Sequence, residues 1–99
     1  MIESKIEKRF KDQVRRRGGK AFKFISPGEA GMPDRIVILP GGVVVFAELK
    51  APGKDLRPLQ EFQVKQLRQM GVKVFKIDSE EAIQDFIREV FEDEERMFL

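Results

Sequence analysis

Three residues near the middle of the chain have the types and spacing that suit hydrolysis of a phosphodiester bond. Asp34 follows Pro33, and further on Glu48 and Lys50 flank Leu49. Two carboxylates held close together repel unless a cation lies between them, so a divalent metal with oxygen ligands is the simplest occupant. We expect Mg²⁺, with Mn²⁺ able to substitute. The lysine can then hold or deprotonate the attacking water, or offset charge that builds up on the phosphate.

The residues around this set predict that it lies on a β-hairpin. Runs of β-branched and large apolar residues at 35–39 and 43–50 flank the turn Pro40-Gly41-Gly42, which is typical of two antiparallel strands. Alternation along a strand places Glu48 and Lys50 on one face. The apolar strand offers them no polar partner, so the partner must come from the neighbouring strand.

The length of the turn decides whether Asp34 reaches Glu48. A loop of the two glycines alone would pair Asp34 with Leu49 and direct the carboxylates to opposite faces. A loop of residues 40–42 pairs Asp34 with Glu48 instead. We favour this second register, because proline suits the second position of a type I turn and Gly42 suits the left-handed position after it.

The remaining periodicity predicts a single α/β domain over residues 1–99, a mixed four-stranded sheet with flanking helices in the order α-β-β-β-α-β-α. Helices are expected at 3–17, at 58–70 and after Asp78-Ser79. Further strands are expected at 20–25 and 72–77, and the second is apolar on both faces, which favours an internal position. The helix after Pro58 is expected to pack on the sheet through the following face: Leu59, Phe62, Gln63, Gln66, Leu67 and Met70.

Composition restricts the chemistry and the partners. The chain has no cysteine and no histidine, which excludes disulfides, zinc fingers and histidine bases. The net charge is only +2, yet basic residues crowd the first quarter and acidic residues the end, so the first part suits nucleic acid. No apolar run approaches the ~20 residues of a membrane span and the start is charged, so we expect a cytoplasmic protein in a bacterial or phage-infected cell.

These residues also resemble a known family. Pro33-Asp34 followed by Glu48-Leu49-Lys50 resembles the PD-(D/E)xK nuclease signature. The sequence around these residues resembles the VRR-NUC branch of that superfamily, in the segments 23–28, 31–35 and 48–53 and in the Leu59-Gln60 that follows. The similarity covers roughly residues 3 to 78. The resemblance implies a structure-selective DNA endonuclease that is similar to Holliday-junction resolvases, acting as a homodimer on branched or four-way DNA.

The resemblance also implies further site residues. It adds the Leu49 carbonyl as a metal ligand, Glu7 on the first helix as a residue beside the metal, and Gln60 as part of the site. From the sequence alone, Glu7 is equally an exposed carboxylate supporting Lys11, and Glu3 lies one turn earlier on the same side.

Residues expected to contact DNA come from the basic first quarter and from the loops beside the site. They are Arg15, Arg16, Arg17, Lys23, Ser26, Arg35 and Lys54. Charges on three successive helical positions also fan around the axis, so 15–17 are alternatively a solvated helix end. The apolar residues expected at part of a dimer interface are Phe91, Phe98 and Leu99, with Ile87 and Val90 behind them. The alternative function is a non-catalytic nucleic-acid-binding subunit in which Asp34, Glu48 and Lys50 form a structural ion-pair network.

Overall fold

The structure, a computed structural model, describes residues 2–92 and has the predicted order of elements. These are α1 (Glu3–Arg16), β1 (Lys20–Lys23), β2 (Arg35–Leu39), β3 (Val43–Leu49), α2 (Pro58–Gln69), β4 (Val74–Ile77), α3 (Glu80–Ile87) and a π-helical segment, Arg88–Glu92. The expected α/β fold is therefore confirmed. None of the helices in this part of the chain is long and apolar enough to cross a membrane.

The four strands form one mixed sheet in the order β1-β2-β3-β4. β1, β2 and β3 are antiparallel neighbours, and β4 runs parallel to β3. The expectation that β4 is internal was wrong, because in the described chain it has only β3 beside it. Its two apolar faces have another cause: Phe75 packs against Phe86 of α3, and Val74 belongs to the cluster under α2.

The main core lies between the sheet and the pair α1 and α3. Ile6, Phe10 and Val14 of α1 are fully buried there against strand residues such as Val37 and Val45. Phe10 and Phe86 meet edge to face at 5.0 Å, which joins the two helices. This face of the sheet supplies most of the apolar burial, so it holds the strands that carry the site in a fixed position.

On the other face of the sheet, α2 covers a smaller apolar cluster, through a side that only partly matches the predicted one: Gln63 and Leu67 are buried as expected, and the other four residues of the predicted face are exposed. The residues it buries are Gln60, Gln63, Val64 and Leu67. Leu59, Phe62 and Met70 are exposed. The helix is rotated because its two buried glutamines find hydrogen-bond partners beneath it, and Gln63 Nε2 donates to the Ala30 carbonyl at 3.1 Å. Satisfied polar groups have thus displaced apolar ones from the buried side.

The hairpin between β2 and β3 has the favoured register. Leu39 pairs with Val43 and Arg35 with Ala47, so the next pair along is Asp34 with Glu48. The turn itself differs from the expected type I. The Gly42 N–H donates to the Leu39 carbonyl at 3.2 Å, and Gly41 has a φ of +86° at the third turn position, which is typical of a type II turn.

Candidate active site on the hairpin

Asp34 and Glu48 meet on the face of the sheet that α2 partly covers. The Asp34 N–H donates to Glu48 Oε2 at 3.0 Å, and the Leu49 N–H donates to Asp34 Oδ1 at 3.1 Å. These reciprocal bonds continue the ladder beyond the strand ends, with side-chain oxygens where backbone carbonyls would otherwise accept. The register therefore brings the two carboxylates together, as the turn length predicts.

Gln60 holds the other oxygen of Glu48. Its Nε2 donates to Glu48 Oε1 at 3.2 Å, and its Oε1 accepts from the Arg57 N–H at 2.8 Å. Gln60 is buried in the first turn of α2, so it both caps the helix and fixes the orientation of the carboxylate. The side chain implied by resemblance thus lies within the site, in direct contact with Glu48.

Burial and mutual repulsion make this pair of carboxylates hard to ionise together. Loss of solvent, followed by the charge of Asp34, raises the pKa of Glu48 to about 7. Burial also raises the pKa of Asp34, against the lowering effects of the Leu49 N–H and the Arg35 charge. Two carboxylates share a partly dry site with too little positive charge around them.

Two neighbouring cations reduce the repulsion between Asp34 and Glu48, but the pKa of Glu48 is still raised. Lys50 is half-buried directly after β3, where its N–H donates to the Ile77 carbonyl at 3.0 Å. Its charge and that of Arg57 both lower the pKa of Glu48. Arg57 was missed from the sequence, where only its place just before Pro58 at the predicted helix start set it apart. Across residues 2–92, Lys50 forms no ion pair with either carboxylate.

Glu7 lies at the margin of the site, where it forms an ion pair with Arg35. Its charge still makes a small contribution to the raised pKa of Asp34, so it is a neighbour of the pair. In the described residues no three acidic side chains converge into one ligand group. Glu3 is exposed in the first turn of α1. The role of Glu7 beside a metal stays a prediction.

Arg35 is not placed as a DNA contact. Its side chain is only 10% exposed and its guanidinium binds Glu7. Strand alternation is the reason: Asp34 faces α2, so the next residue faces α1 and the core. The expectation that Arg35 meets DNA is corrected to a buried residue that links α1 to the strand carrying Asp34.

The three arginines at the end of α1 point in different directions. Arg15 pairs with Asp12 at 3.3 Å, whereas Arg17 donates to the Gln13 carbonyl at 3.0 Å and lies over the Phe91 ring. Arg16 is exposed. Arg15 and Arg17 thus have separate partners, which fits the fanned arrangement left open from the sequence, and the contacts of the three arginines with DNA stay predictions.

The loop residues expected to contact DNA lie at or near the surface. Lys23 and Lys54 are exposed, and Ser26 is half-buried. Lys54 sits in the loop between β3 and α2, beyond Lys50, and Lys23 ends β1. Their contacts with DNA stay predictions.

Comparison with known proteins identifies the family. No protein-family model matches the chain. The "Putative nuclease p44" of Acyrthosiphon pisum secondary endosymbiont phage 1 is 44% identical over 79 residues, which cover 80% of this chain and 85% of the relative. A solved structure of a VRR_NUC domain matches with a TM-score of 0.82 and 30% identity, over 89% of this chain and 96% of that one.

The chain belongs to the VRR-NUC family. The resemblance of its motifs is thereby confirmed, and the activity is that of a nuclease. Within this VRR-NUC protein the motif residues Asp34, Glu48 and Lys50 occupy one end of the β2–β3 hairpin, with Gln60 delivered by α2. The sequence pointed to Asp34, Glu48 and Lys50, and the resemblance added Gln60; their roles in catalysis stay predictions.

Proposed function

We propose that this VRR-NUC protein is a metal-dependent endodeoxyribonuclease that cuts branched DNA. The observation that supports the proposal most strongly is the convergence of Asp34 and Glu48. The Asp34 N–H donates to Glu48, the Asp34 carboxylate accepts from the Leu49 N–H, both carboxyl groups have raised pKa values, and neither has an ion-paired cation in the described chain. Such a pair favours a divalent cation, because the cation removes the repulsion that burial strengthens.

The residues present fit Mg²⁺ or Mn²⁺. Asp34 and Glu48 would supply carboxylate oxygens and Leu49 its backbone carbonyl, which are the hard oxygen ligands that these ions prefer. When bound, the ion supplies Lewis-acid polarisation of the scissile phosphate. Gln60 keeps Glu48 in one orientation, since its amide takes one carboxylate oxygen and α2 anchors the amide in turn.

In this proposal Lys50 acts on the attacking water or on the charge of the phosphate. It is half-buried beside Glu48, and as a cation it can orient the attacking water or offset charge that develops on the phosphate. The alternative function, a structural ion-pair network in a non-catalytic subunit, requires Lys50 to pair with the carboxylates. It forms no such pair in the part of the chain described, so the catalytic reading has the better support.

We further propose that the active unit is a homodimer, since four-way DNA presents two equivalent scissile phosphates and a two-fold protein meets both. The interface expected at the end of the chain is only partly described. Ile87 and Val90 are buried within the monomer, which fits their expected place behind it, and Phe91 is partly buried and packs on Phe86 with ring centroids 6.2 Å apart. Phe98 and Leu99 lie outside the described residues.

A different apolar surface supports dimerisation. On the α2 side of the sheet, Phe22, Ile38 and Val44 are 39%, 42% and 47% exposed. The sheet is bare there because α2 packs over Phe46 and Val74 of β3 and β4 and leaves the β1 half uncovered.

α2 also carries exposed apolar residues. Leu59, Phe62 and Met70 are 50%, 54% and 72% exposed, and they lie on the flank next to Gln63, which contacts the loop before β2. Because these side chains are already partly buried, burying the rest of each contributes roughly 1 kcal/mol. Exposed apolar residues in such numbers are typical of an interaction site, and we assign them to a second copy of the chain.

A cleavage panel tests this function. Labelled four-way junction, flap, fork and duplex are incubated with Mg²⁺, with Mn²⁺ and with chelator, and the products are read for paired symmetrical nicks. Metal-dependent cleavage that is lost in Lys50→Ala is the expected result. Cleavage that persists in chelator, or in Asp34→Asn, would contradict the metal site, and single unpaired nicks by a monomer would contradict the dimer.

A further inference from the structure

A groove of about 510 Å³ runs between α1 and the edge strand β1. One wall is the flank of α1 that carries Lys8, Lys11 and Arg15, whose spacing places them on one side of the helix. The other wall is the start of β1, from Gly19 to Ala21. β1 is the first strand of the sheet, and among residues 2–92 no strand pairs with its outer edge on this side of the groove.

The cations of the groove exceed its anions. Its two carboxylates, Glu7 and Asp12, each have an arginine partner: Glu7 pairs with Arg35, and Asp12 pairs with Arg15 at 3.3 Å. Lys8 and Lys11 are exposed, and neither forms an ion pair within residues 2–92. The surface of the groove therefore carries uncompensated positive charge, which attracts an anionic polymer.

One end of the groove adjoins the site. Glu7 lines this end of the groove and bonds Arg35, the first residue of β2, which follows Asp34 in the chain. The charge of Glu7 also contributes to the raised pKa of Asp34. Along α1 the distance from Glu7 to Arg15 is about 12 Å at 1.5 Å per residue. Successive phosphates of one strand are farther apart than their axial rise of about 3.4 Å, so this length spans at most about three of them.

We propose that this groove binds the sugar-phosphate backbone of the DNA strand next to the scissile phosphate, with Lys8 and Lys11 as its phosphate contacts. The inference rests on the nuclease function proposed above and adds the path of the substrate. It moves the DNA-binding part of α1 away from the helix end, because Arg17 is turned toward Gln13 and Phe91.

The test is the salt dependence of DNA binding. Binding of a fluorescein-labelled duplex in metal-free buffer, where no cleavage occurs, is measured over a range of salt for Lys8→Gln/Lys11→Gln. The matched control is Lys65→Gln/Lys73→Gln, which removes two exposed lysines on α2 and before β4. Each phosphate contact contributes about 0.9 to the slope of log K against log salt. We expect the groove variant to lose about 1.8 and the control to keep the wild-type slope.

A third variant changes binding in the opposite direction. Asp12→Asn removes the partner of Arg15, and an exposed pair of this kind contributes little to stability, so the fold is retained. Freed from Asp12, Arg15 should strengthen DNA binding and steepen the slope. This variant also keeps the proposal testable if the double lysine variant fails to fold.

Cleavage separates this proposal from the function on which it rests. At physiological salt the groove variant should raise KM and leave kcat near wild type, because Lys8 and Lys11 hold the strand and do not touch the reacting atoms. If the wild type cleaves DNA and the groove variant keeps the full salt slope, the groove is wrong and the nuclease stands. If no DNA is cleaved but the slope falls as expected, the nuclease function is wrong and the groove remains a nucleic-acid site.

Discussion

Replacing Asp34 with Asn should stabilise the metal-free protein above pH 7 while it abolishes cleavage. Asn keeps an oxygen where Asp34 Oδ1 accepts from the Leu49 N–H at 3.1 Å, so the hairpin is preserved. What it removes is the negative charge that helps to raise the pKa of Glu48. The same charge is what the proposed metal requires, so stability and activity should change in opposite directions.

The magnitude follows from the pKa of Glu48. In the folded protein it is raised from 4.5 to about 7, and at about 1.36 kcal/mol per unit this is at most about 3.4 kcal/mol. Asp34, beside Glu48, is only half-buried, so solvent screens part of the interaction and a value of about 1.5 to 2 kcal/mol applies. Burial is the larger cause and Asp34 the second, so the charge of Asp34 accounts for about 0.5 to 1 kcal/mol, or about 2 to 8 °C in Tm.

The sign fixes the pH window. Because the folded-state pKa of Glu48 lies above its unfolded value, the protonated form favours folding, and this stability is complete below about 4.5 and lost as pH rises through about 7. Asp34→Asn recovers part of what is lost. Its gain should therefore be largest above pH 7 and vanish near pH 4.5, with Asp34, whose own pKa is raised by burial, adding in the same direction.

Thermal unfolding of the metal-free protein at pH 8 and at pH 4.5 measures this difference. Asp55→Asn is the matched control, because the Asp55 side chain is 95% exposed, and it should change Tm by little at either pH. Adding Mg²⁺ should stabilise the wild type and not the Asp34 variant, since only the wild type binds the ion tightly. An equal gain at both pH values, or no gain at pH 8, would refute the repulsion on which the metal site was argued.

Three further predictions concern the residues around the pair. Gln60→Ala should lower the unfolding free energy by about 1 to 3 kcal/mol and lower kcat, because it leaves Glu48 Oε1 without its donor and the first turn of α2 without its cap. Denaturant unfolding and initial cleavage rates measure the two effects, and an unchanged rate would remove Gln60 from the site. Phe62→Ser should shift sedimentation from dimer to monomer with little loss of stability, since Phe62 is exposed in the monomer, and a dimer that persists would place the interface elsewhere. Arg35→Met should cost about 1.5 to 3 kcal/mol by removing the partner of Glu7, and DNA binding at low salt should be unchanged if Arg35 is a buried link and not a phosphate contact.

The sequence by itself determined the order of elements and the meeting of Asp34 with Glu48. Both depend on local rules. Alternation and helical periodicity mark each element, and the odd length of the Pro40–Gly42 loop sets the register of two strands that are adjacent in the chain. The predicted turn type was wrong, yet the predicted register was right, because a type I and a type II turn of the same length leave the same residues opposite each other.

Only the tertiary structure decided the contacts between elements distant in the chain. Leu59, Phe62 and Met70 were expected to be buried with Gln63 and Leu67, but α2 buries Gln60 and Val64 in their place. Glu48 and Ala30 supply the hydrogen-bond partners of the two buried glutamines. A helix bearing apolar residues on two adjacent flanks has no rotation fixed by periodicity. The hydrogen-bond partners beneath the helix decide which flank is buried, and those partners lie close to the helix only after the sheet has formed.

The same reason accounts for the charged residues. Arg35 and Glu7 are far apart in sequence, and nothing in either segment shows that α1 crosses the face of β2 on which Arg35 lies. The position of β4 at the sheet edge was likewise hidden, because cover by α2 and α3 gives a strand the two apolar faces that are typical of an internal one. Apolar residues on both faces of a strand indicate that both faces are buried. They do not show whether the strand also has a neighbouring strand on each edge, which only the fold decides.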